Sequence, residues 1–378
     1  MLCQPQGLSR RQIRISDRSV RGTVSHPLLP ESELGGPVRK LLQVIAGAAV
    51  GGAEEFFMRL APAFSRAGVD QRLVIREHAE RRYRLENAGI EVTEARFGGI
   101  LDFATKPAIK REIDQFAPDL VLAWMSRAAR FCPAGDHTLV ARLGGYYDLK
   151  YYRHCDHLIG NTADIQRYLI DQGWPEDRAW YIPNFVDGER MDAIERSQLD
   201  TPMDAPLLLV LGRLHENKAF DVLIEALSNI PNAFLWIAGD GPLEQSLREQ
   251  AVQSGVEERV RFLGWRQDIA ALLAAADILV CPSRHEPLGN VVIEGWAHNV
   301  PVVAAESAGP RALIQHEETG LLVPIDDSKT LAEAINRLLS DASFAENLVT
   351  GGFTAYEAAF TEAEVVRQYQ EFFEKVTR

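Results

Sequence analysis

The sequence is poor in residues that would tie it to a resident metal or an oxidising compartment. Its 378 residues hold four cysteines, Cys3, Cys132, Cys155 and Cys281. They form no C-x-x-C and are too sparse for a disulfide framework, which points to a reducing cytoplasm. There is no H-E-x-x-H and no cluster of His and Cys, so a catalytic zinc is not expected. Asp-x-Asp is absent as well, and with it a common carboxylate anchor for Mn²⁺ or Mg²⁺. No apolar run reaches the roughly 18 residues of a membrane span. Positive charge is scarce in the second half, where residues 186–378 carry 15 basic and 31 acidic groups. Nucleic acid, whose backbone demands a basic footprint, is therefore not an expected partner.

What is present is ordinary for a globular protein with sizeable cores, 46% hydrophobic and 25% charged residues. About one domain per 150 residues predicts two domains. Residues 1–37 differ in kind. They hold Arg10, Arg11, Arg14, Arg18 and Arg21, the turn-formers Pro27, Pro30, Gly35, Gly36 and Pro37, and no apolar h-region. They read as a disordered N-terminal extension or an upstream start, with an Arg-rich transit segment as the alternative. If either half meets an anionic membrane, it is the first. Its candidate cations are Arg76, Arg81, Arg82, Arg84, Arg127 and Arg130.

Leu41 to Ala46 is a continuous apolar run, the mark of a strand buried on both faces of a parallel sheet. Further strands are predicted over Gln71–Arg76, Leu120–Trp124, Leu139–Leu143 and His157–Gly160. A charged, aperiodic stretch from Asp187 to Pro206 reads as the connection to a second series. That series alternates strands at Leu207–Leu211, Phe234–Ala238, Val260–Leu263, Ile278–Cys281, Val302–Ala304 and Leu321–Val323 with helices. A last helix covers Glu362–Val376. Strictly alternating strands and helices predict an α/β architecture of two Rossmann-like domains facing each other across a cleft. The expected division is 38–186, 187–360, and a closing helix in 361–378.

Loops beyond the carboxyl ends of parallel strands face the ligand crevice. The most informative is Arg284-His285-Glu286-Pro287-Leu288-Gly289-Asn290, followed by a helix that carries Glu294. The helix start at Leu288, Gly289 and Asn290 offers unpaired N–H groups and a positive dipole end, suited to phosphate. A diphosphate there leaves both glutamates near hydroxyl-rich groups such as ribose and a sugar ring. Arg213 and Lys218 flank another such loop and are the expected phosphate cations. Gly51 and Gly52 let backbone N–H groups approach a ligand without a Cβ in the way. In Gly239-Asp240-Gly241-Pro242, Asp240 is expected to cap the next helix. Beyond Gly264, the Trp265 ring either meets a nucleobase or simply packs.

Together these pieces resemble glycosyltransferase family 4, the retaining enzymes of the GT-B fold. The matching segments are Gly51-Gly52-Ala53-Glu54, Ile182-Pro183-Asn184, Gly212-Arg213-Leu214 with Lys218, Ala238-Gly239-Asp240-Gly241-Pro242, Phe262-Leu263-Gly264, the Glu286/Glu294 pair and Gly320-Leu321-Leu322-Val323-Pro324. The resemblance implies a nucleotide-diphosphate sugar donor held mainly by the second domain, and a closing helix in 361–378 that returns toward the first domain. Arg213 and Lys218 would hold its diphosphate, with N–H groups of Leu288, Gly289 and Asn290. Glu294 would take the ribose and Glu286 the transferred sugar, and Gly51, Gly52, Gly239 and Gly264 would line the donor site. Glu286, Arg213 and Lys218 are then the catalytic candidates. No cofactor and no metal are expected. The wording around Trp124-Met125-Ser126 and Gly144-Gly145-Tyr146-Tyr147 is similar to bacterial enzymes of lipopolysaccharide and polysaccharide assembly. That implies a glycan or glycolipid acceptor and a cytoplasmic protein, peripheral on the inner face of the membrane.

Two departures stand out. Pro287 replaces the Gly of many relatives and removes one backbone donor. The His that many relatives carry after a middle strand of the first domain is missing from Leu122-Ala123-Trp124-Met125-Ser126-Arg127. Ser126, Arg127, Gly145 and Tyr146, with Arg142 beside them, are the acceptor-side candidates. The alternative is a GT-B protein that binds nucleotide sugar without transferring it, as a sensor or partner subunit. A binder need not keep Glu286.

Overall fold

The computed structural model describes residues 40–48, 51–99 and 101–377. The extension expected over 1–37 lies outside the described residues, as do Ala49 and Val50 of the first glycine loop. The first half runs β1 (Lys40–Ile45), α1 (Gly52–Arg66), β2 (Asp70–Arg76), α2 (Ala79–Asn87), β3 (Glu91–Ala95), α3 (Thr105–Phe116), β4 (Leu120–Trp124), α4 (Met125–Phe131), β5 (Thr138–Leu143), β6 (His157–Gly160), α5 (Ala163–Asp171) and β7 (Ala179–Tyr181). The second half runs β8 (Leu207–Leu211), α6 (Phe220–Leu227), β9 (Phe234–Ala238), α7 (Glu244–Gln253), β10 (Val260–Gly264), α8 (Ile269–Ala275), β11 (Ile278–Cys281), α9 (Asn290–Ala297), β12 (Val302–Ala305), α10 (Ala308–Leu313), β13 (Leu321–Val323), α11 (Ser328–Ser340), α12 (Ala342–Ala359) and α13 (Glu362–Val376).

All strand pairings are parallel, in two sheets of order β3-β2-β1-β4-β5-β6-β7 and β10-β9-β8-β11-β12-β13. Each sheet reverses its winding between its first and fourth strands. Such a reversal splays the two following loops apart and opens the crevice where ligands bind. The predicted α/β class and both facing Rossmann-like units are thus present.

Two strands escaped the sequence reading. Glu91–Ala95 and Ala179–Tyr181 are the two edges of the first sheet. An edge strand is half-covered, so it lacks the continuous apolar run of a central one. The long helix α12 also went unread; its Gly351-Gly352 pair looks like a break. Gly352 is instead where Trp296 of α9 packs, since a Cβ there would lie 2.3 Å from that ring. Asp240 is not a helix cap: α7 starts at Glu244 after Leu243, and no side chain caps it.

The last helix, α13, packs on the first sheet's layer. Val365, Tyr369, Phe372 and Phe373 join the core of β1 and α1, with the Phe64 ring 5.2 Å from Tyr369 and 5.7 Å from Phe373. Burying each such side chain contributes about 1.5–3 kcal/mol. The chain therefore passes between the two halves twice, at Ile182–Val186 and again between α12 and α13. The Tyr356 hydroxyl on α12 donates to the Val186 carbonyl at 3.3 Å, holding the two crossings together.

Candidate active site

β8 and β11 are neighbours at the reversal of the second sheet, so the loops after them lie side by side. The loop after β8 turns through a 3-10 segment, Glu216–Lys218, before α6. The loop after β11 ends at Gly289, whose φ of 73° is left-handed and caps α9. Glycine adopts that conformation at no steric cost. Close approach requires a second glycine, because a Cβ on Gly239 would lie 1.9 Å from the Gly212 carbonyl oxygen.

This geometry brings Lys218 and Glu286 together, Nζ to Oε2 at 2.5 Å. The other carboxylate oxygen accepts the Gly289 N–H at 3.3 Å, at the head of α9. Glu286 is 7% exposed, so both contacts lie in a desolvated corner. Leu288 and Asn290 have backbone N–H groups without partners among the described residues. Arg213 is exposed at the rim and likewise makes no hydrogen bond or ion pair there. Glu294 is one turn along α9, half-buried below the same crevice. A part-buried ion pair, a helix start and a second carboxylate thus lie together, with Arg213 exposed in the loop that also carries Lys218.

The charges perturb one another. Burial lowers the Lys218 ammonium, but Glu286, then Cys281 and Glu294, outweigh it and leave it above an ordinary lysine. It therefore stays charged at neutral pH. Burial pushes the Glu294 carboxyl above the ordinary glutamate value; Arg59 opposes this, Glu286 adds to it and Lys218 opposes it. Arg59 belongs to α1 of the first half, so its field crosses the cleft.

A residue the sequence reading passed over fastens the two loops. Arg284 grips Asp221 with two bonds of 2.9 and 2.6 Å, donates to the Glu216 carbonyl at 2.9 Å, and pairs with Asp326 at 2.5 Å. It ties the turn bearing Lys218 to the loop bearing Glu286. The signal in the sequence was only its place two residues before Glu286.

The opposing reversal, between β1 and β4, carries Gly51 and Gly52 on one side and Met125, Ser126 and Arg127 on the other. The glycine loop is pinned by Glu54, which accepts the Ala48 N–H at 2.7 Å, and by Arg81, which donates to the Ala48 carbonyl at 2.7 Å. Met125 opens α4 in a left-handed conformation, φ 65°, which is uncommon away from glycine and often found at functional sites. Ser126 is half-buried and Arg127 exposed beside it. Gly145 is half-buried in the loop after β5. Tyr146 follows it, 46% exposed, with its hydroxyl donating to Asp164.

Three expectations change. Arg142 does not line the acceptor side: it is 2% exposed, inside the first core. Arg81 is 5% exposed beneath the glycine loop, so it is no surface cation, and Arg82 is exposed but paired with Glu86 and Glu94. Arg84, Arg127 and Arg130 remain exposed. Trp265 is 61% exposed, so it is not a core residue. It stands just beyond Gly264, which bridges to Gly239 at the crevice. Among the described residues no group of three or more His, Cys, Asp or Glu is placed to hold a metal ion.

Comparison with known proteins bears on this site. Residues 50–190 match the family described as Glycosyltransferase Family 4, and residues 205–341 match Glycosyl transferases group 1. The chain is 37% identical over 323 residues to the lipopolysaccharide core biosynthesis glycosyltransferase LpsE of Rhizobium meliloti (strain 1021), covering 84% of this chain and 94% of that one. It is 36% identical over 329 residues to LpsD of the same organism, covering 86% and 95%. In fold it is similar to the Anabaena protein HepE in complex with UDP, with a TM-score of 0.79, 23% identity, and coverage of 89% of this chain and 100% of that one.

Proposed function

Because this chain belongs to glycosyltransferase family 4, we propose that it moves a hexosyl unit from a nucleotide-diphosphate sugar to a cell-envelope glycan or glycolipid. The observation that carries this reading is the Lys218–Glu286 contact at the head of α9, with Glu294 one turn further along that helix. Arg213, Lys218 and the α9 N–H groups would take the diphosphate. Negative charge grows on that leaving group, so donors fixed in advance stabilise the transition state most. In the proposed reaction the bond from the sugar's anomeric carbon to phosphate oxygen breaks. The bond to the acceptor oxygen forms on the same face, and the acceptor's proton passes to the departing phosphate. Configuration is retained, and the cations supply the charge that a metal would otherwise bring. The Rhizobium relatives favour a lipopolysaccharide core acceptor.

A membrane-bound acceptor calls for a first half able to approach the cytoplasmic face. Leu101, Phe103 and Tyr83 are exposed by 83%, 79% and 66%, and Arg84, Arg127 and Arg130 are exposed in the same half. Apolar and basic side chains together favour an anionic lipid surface. No helix among the described residues is long and apolar enough to cross a membrane.

The test is transfer from UDP-, GDP- and ADP-hexoses to purified core oligosaccharide, with and without excess EDTA, and NMR of the new linkage. HepE is seen with UDP-glucose, which makes that donor the first to try. A product with the donor's anomeric configuration, formed in EDTA, is expected. Inversion, or activity restored only by Mn²⁺ or Mg²⁺, overturns the mechanism. Donor binding without transfer to any acceptor favours the sensor reading.

A further inference from the structure

Arg142 sits in the middle of the first core with no carboxylate within ion-pair distance among the described residues. Its guanidinium lies 4.5 Å from the Phe56 ring and 5.0 Å from the Trp124 ring. Nε donates to the Tyr369 hydroxyl of α13 at 2.7 Å, and a terminal nitrogen donates to Asn184 Oδ1 at 2.6 Å. Burying a charge with no counter-ion is costly, so its retention here calls for a role that an apolar side chain could not fill. What it does is set direction. A guanidinium only donates, so Asn184 must present its oxygen. Asn184, 4% exposed on the first crossing between the halves, then has only its amide nitrogen left for its other neighbour. That neighbour is Asn290, the first residue of α9, whose Oδ1 accepts from Asn184 Nδ2 at 3.2 Å. Asn290 has now committed its oxygen in turn. Its own NH₂ has no protein partner among the described residues, at the helix start already assigned to phosphate.

We infer that Arg142, Asn184 and Asn290 form a polarity relay across the domain boundary, in which the buried guanidinium orients two amides so that the Asn290 side chain offers N–H donors to the donor's diphosphate. Arg142 and Asn184 are positioning residues, and Asn290 is the ligand contact. The inference rests on the reading of α9 as the diphosphate site. It deepens that reading by giving one half of the protein, through its core, control over a donor in the other half.

The test reverses the relay without removing it. Asn184→Asp keeps an oxygen for Arg142 but has no N–H, so Asn290 must turn its NH₂ toward Asp and its oxygen toward the ligand. Thermal melts and UDP calorimetry are run on wild type, Asn184→Asp, Asn290→Ala and the double variant, as a mutant cycle. Asn184→Asp should melt no lower than wild type, because a carboxylate now faces the guanidinium, yet bind UDP about tenfold or more weakly. In the Asn290→Ala background the same change should leave UDP affinity unaltered. Equal weakening in both backgrounds would mean that Asn184 acts through domain geometry, and the relay is wrong. Unaltered UDP affinity in Asn184→Asp with an intact fold also overturns it. If wild type binds none of UDP, GDP or ADP at about 1 mM, the diphosphate reading itself fails and takes the relay with it.

Discussion

The two sheets reverse their strand order at equivalent places, between β1 and β4 and between β8 and β11, yet the loops at those reversals differ in chemistry. The second reversal gathers Lys218 and Glu286 onto a helix start, with Arg213 exposed in the Lys218 loop and Arg284 clamping the two loops. The first offers glycines, Met125, Ser126 and the exposed Arg127, while the Glu54 and Arg81 side chains are turned onto the backbone of the glycine loop. Topology builds a crevice twice, and side chains decide what each crevice can do. A side with fixed charge suits a diphosphate. A side without a part-buried ion pair at a helix start suits an incoming neutral hydroxyl instead.

The sharpest way to break this contrast is to remove charge from the second side. Lys218→Ala should lower kcat by about 10²–10³, the cost of one transition-state donor, with an unaltered circular-dichroism spectrum. A loss in kcat/KM of less than about threefold would make Lys218 a surface cation and leave the two crevices alike. Glu286→Gln should act next most strongly. It keeps size and one acceptor, so UDP should bind nearly as before while transfer falls by about 10–100-fold, a charged hydrogen bond being worth about 1.5–3 kcal/mol. Lost UDP binding in that variant would move Glu286 from the sugar to the nucleotide.

Arg284→Gln sharpens the comparison further, since it leaves every proposed ligand contact in place and frees only the turn that carries Lys218. A loss of about tenfold in kcat, with UDP affinity changed much less, is the expected signature of a loosened transition-state contact. On the first side, Glu54→Gln keeps an oxygen for the Ala48 N–H. UDP affinity there should stay within about twofold and transfer within a few-fold, read by the same calorimetry and assay.

The sequence disclosed the charged side better than the structure that supports it. Leu207–Leu211 and Ile278–Cys281 are central strands, buried on both faces, and read as unbroken apolar runs. Once they are placed, the loops after them must lie at the crevice, so Arg213, Lys218 and Glu286 were legible. The edges Glu91–Ala95 and Ala179–Tyr181 were not, because one flank of each is open and its residues need not be apolar. Contacts between distant segments were also out of reach. Arg142 meets Tyr369 across 227 residues, and Arg284 meets Asp221 across 63. Local periodicity carries nothing about such pairs, which is why Arg142 read as an acceptor-side residue when it is a core one.

A last effect joins the two sides. The Glu294 carboxyl is raised above the ordinary glutamate value by burial, against the opposing field of Arg59 on α1. An acid with a raised value in the folded state binds its proton more tightly there than in the unfolded chain. Its contribution to stability is therefore greatest at low pH and is lost as pH rises from the ordinary value through the raised one. A ribose hydroxyl donates to a carboxylate, so nucleotide affinity should change the other way and rise with pH over that interval. Glu294→Gln removes the titration. It should raise the melting temperature at pH 7 by about 1–3 °C, weaken UDP binding at pH 7, and flatten the pH dependence of both. Arg59→Met leaves the carboxylate but deletes the field from across the cleft, so the midpoint for UDP affinity should shift to higher pH. An unshifted midpoint would mean that the first half does not act on Glu294, and that the two sides meet only through the backbone.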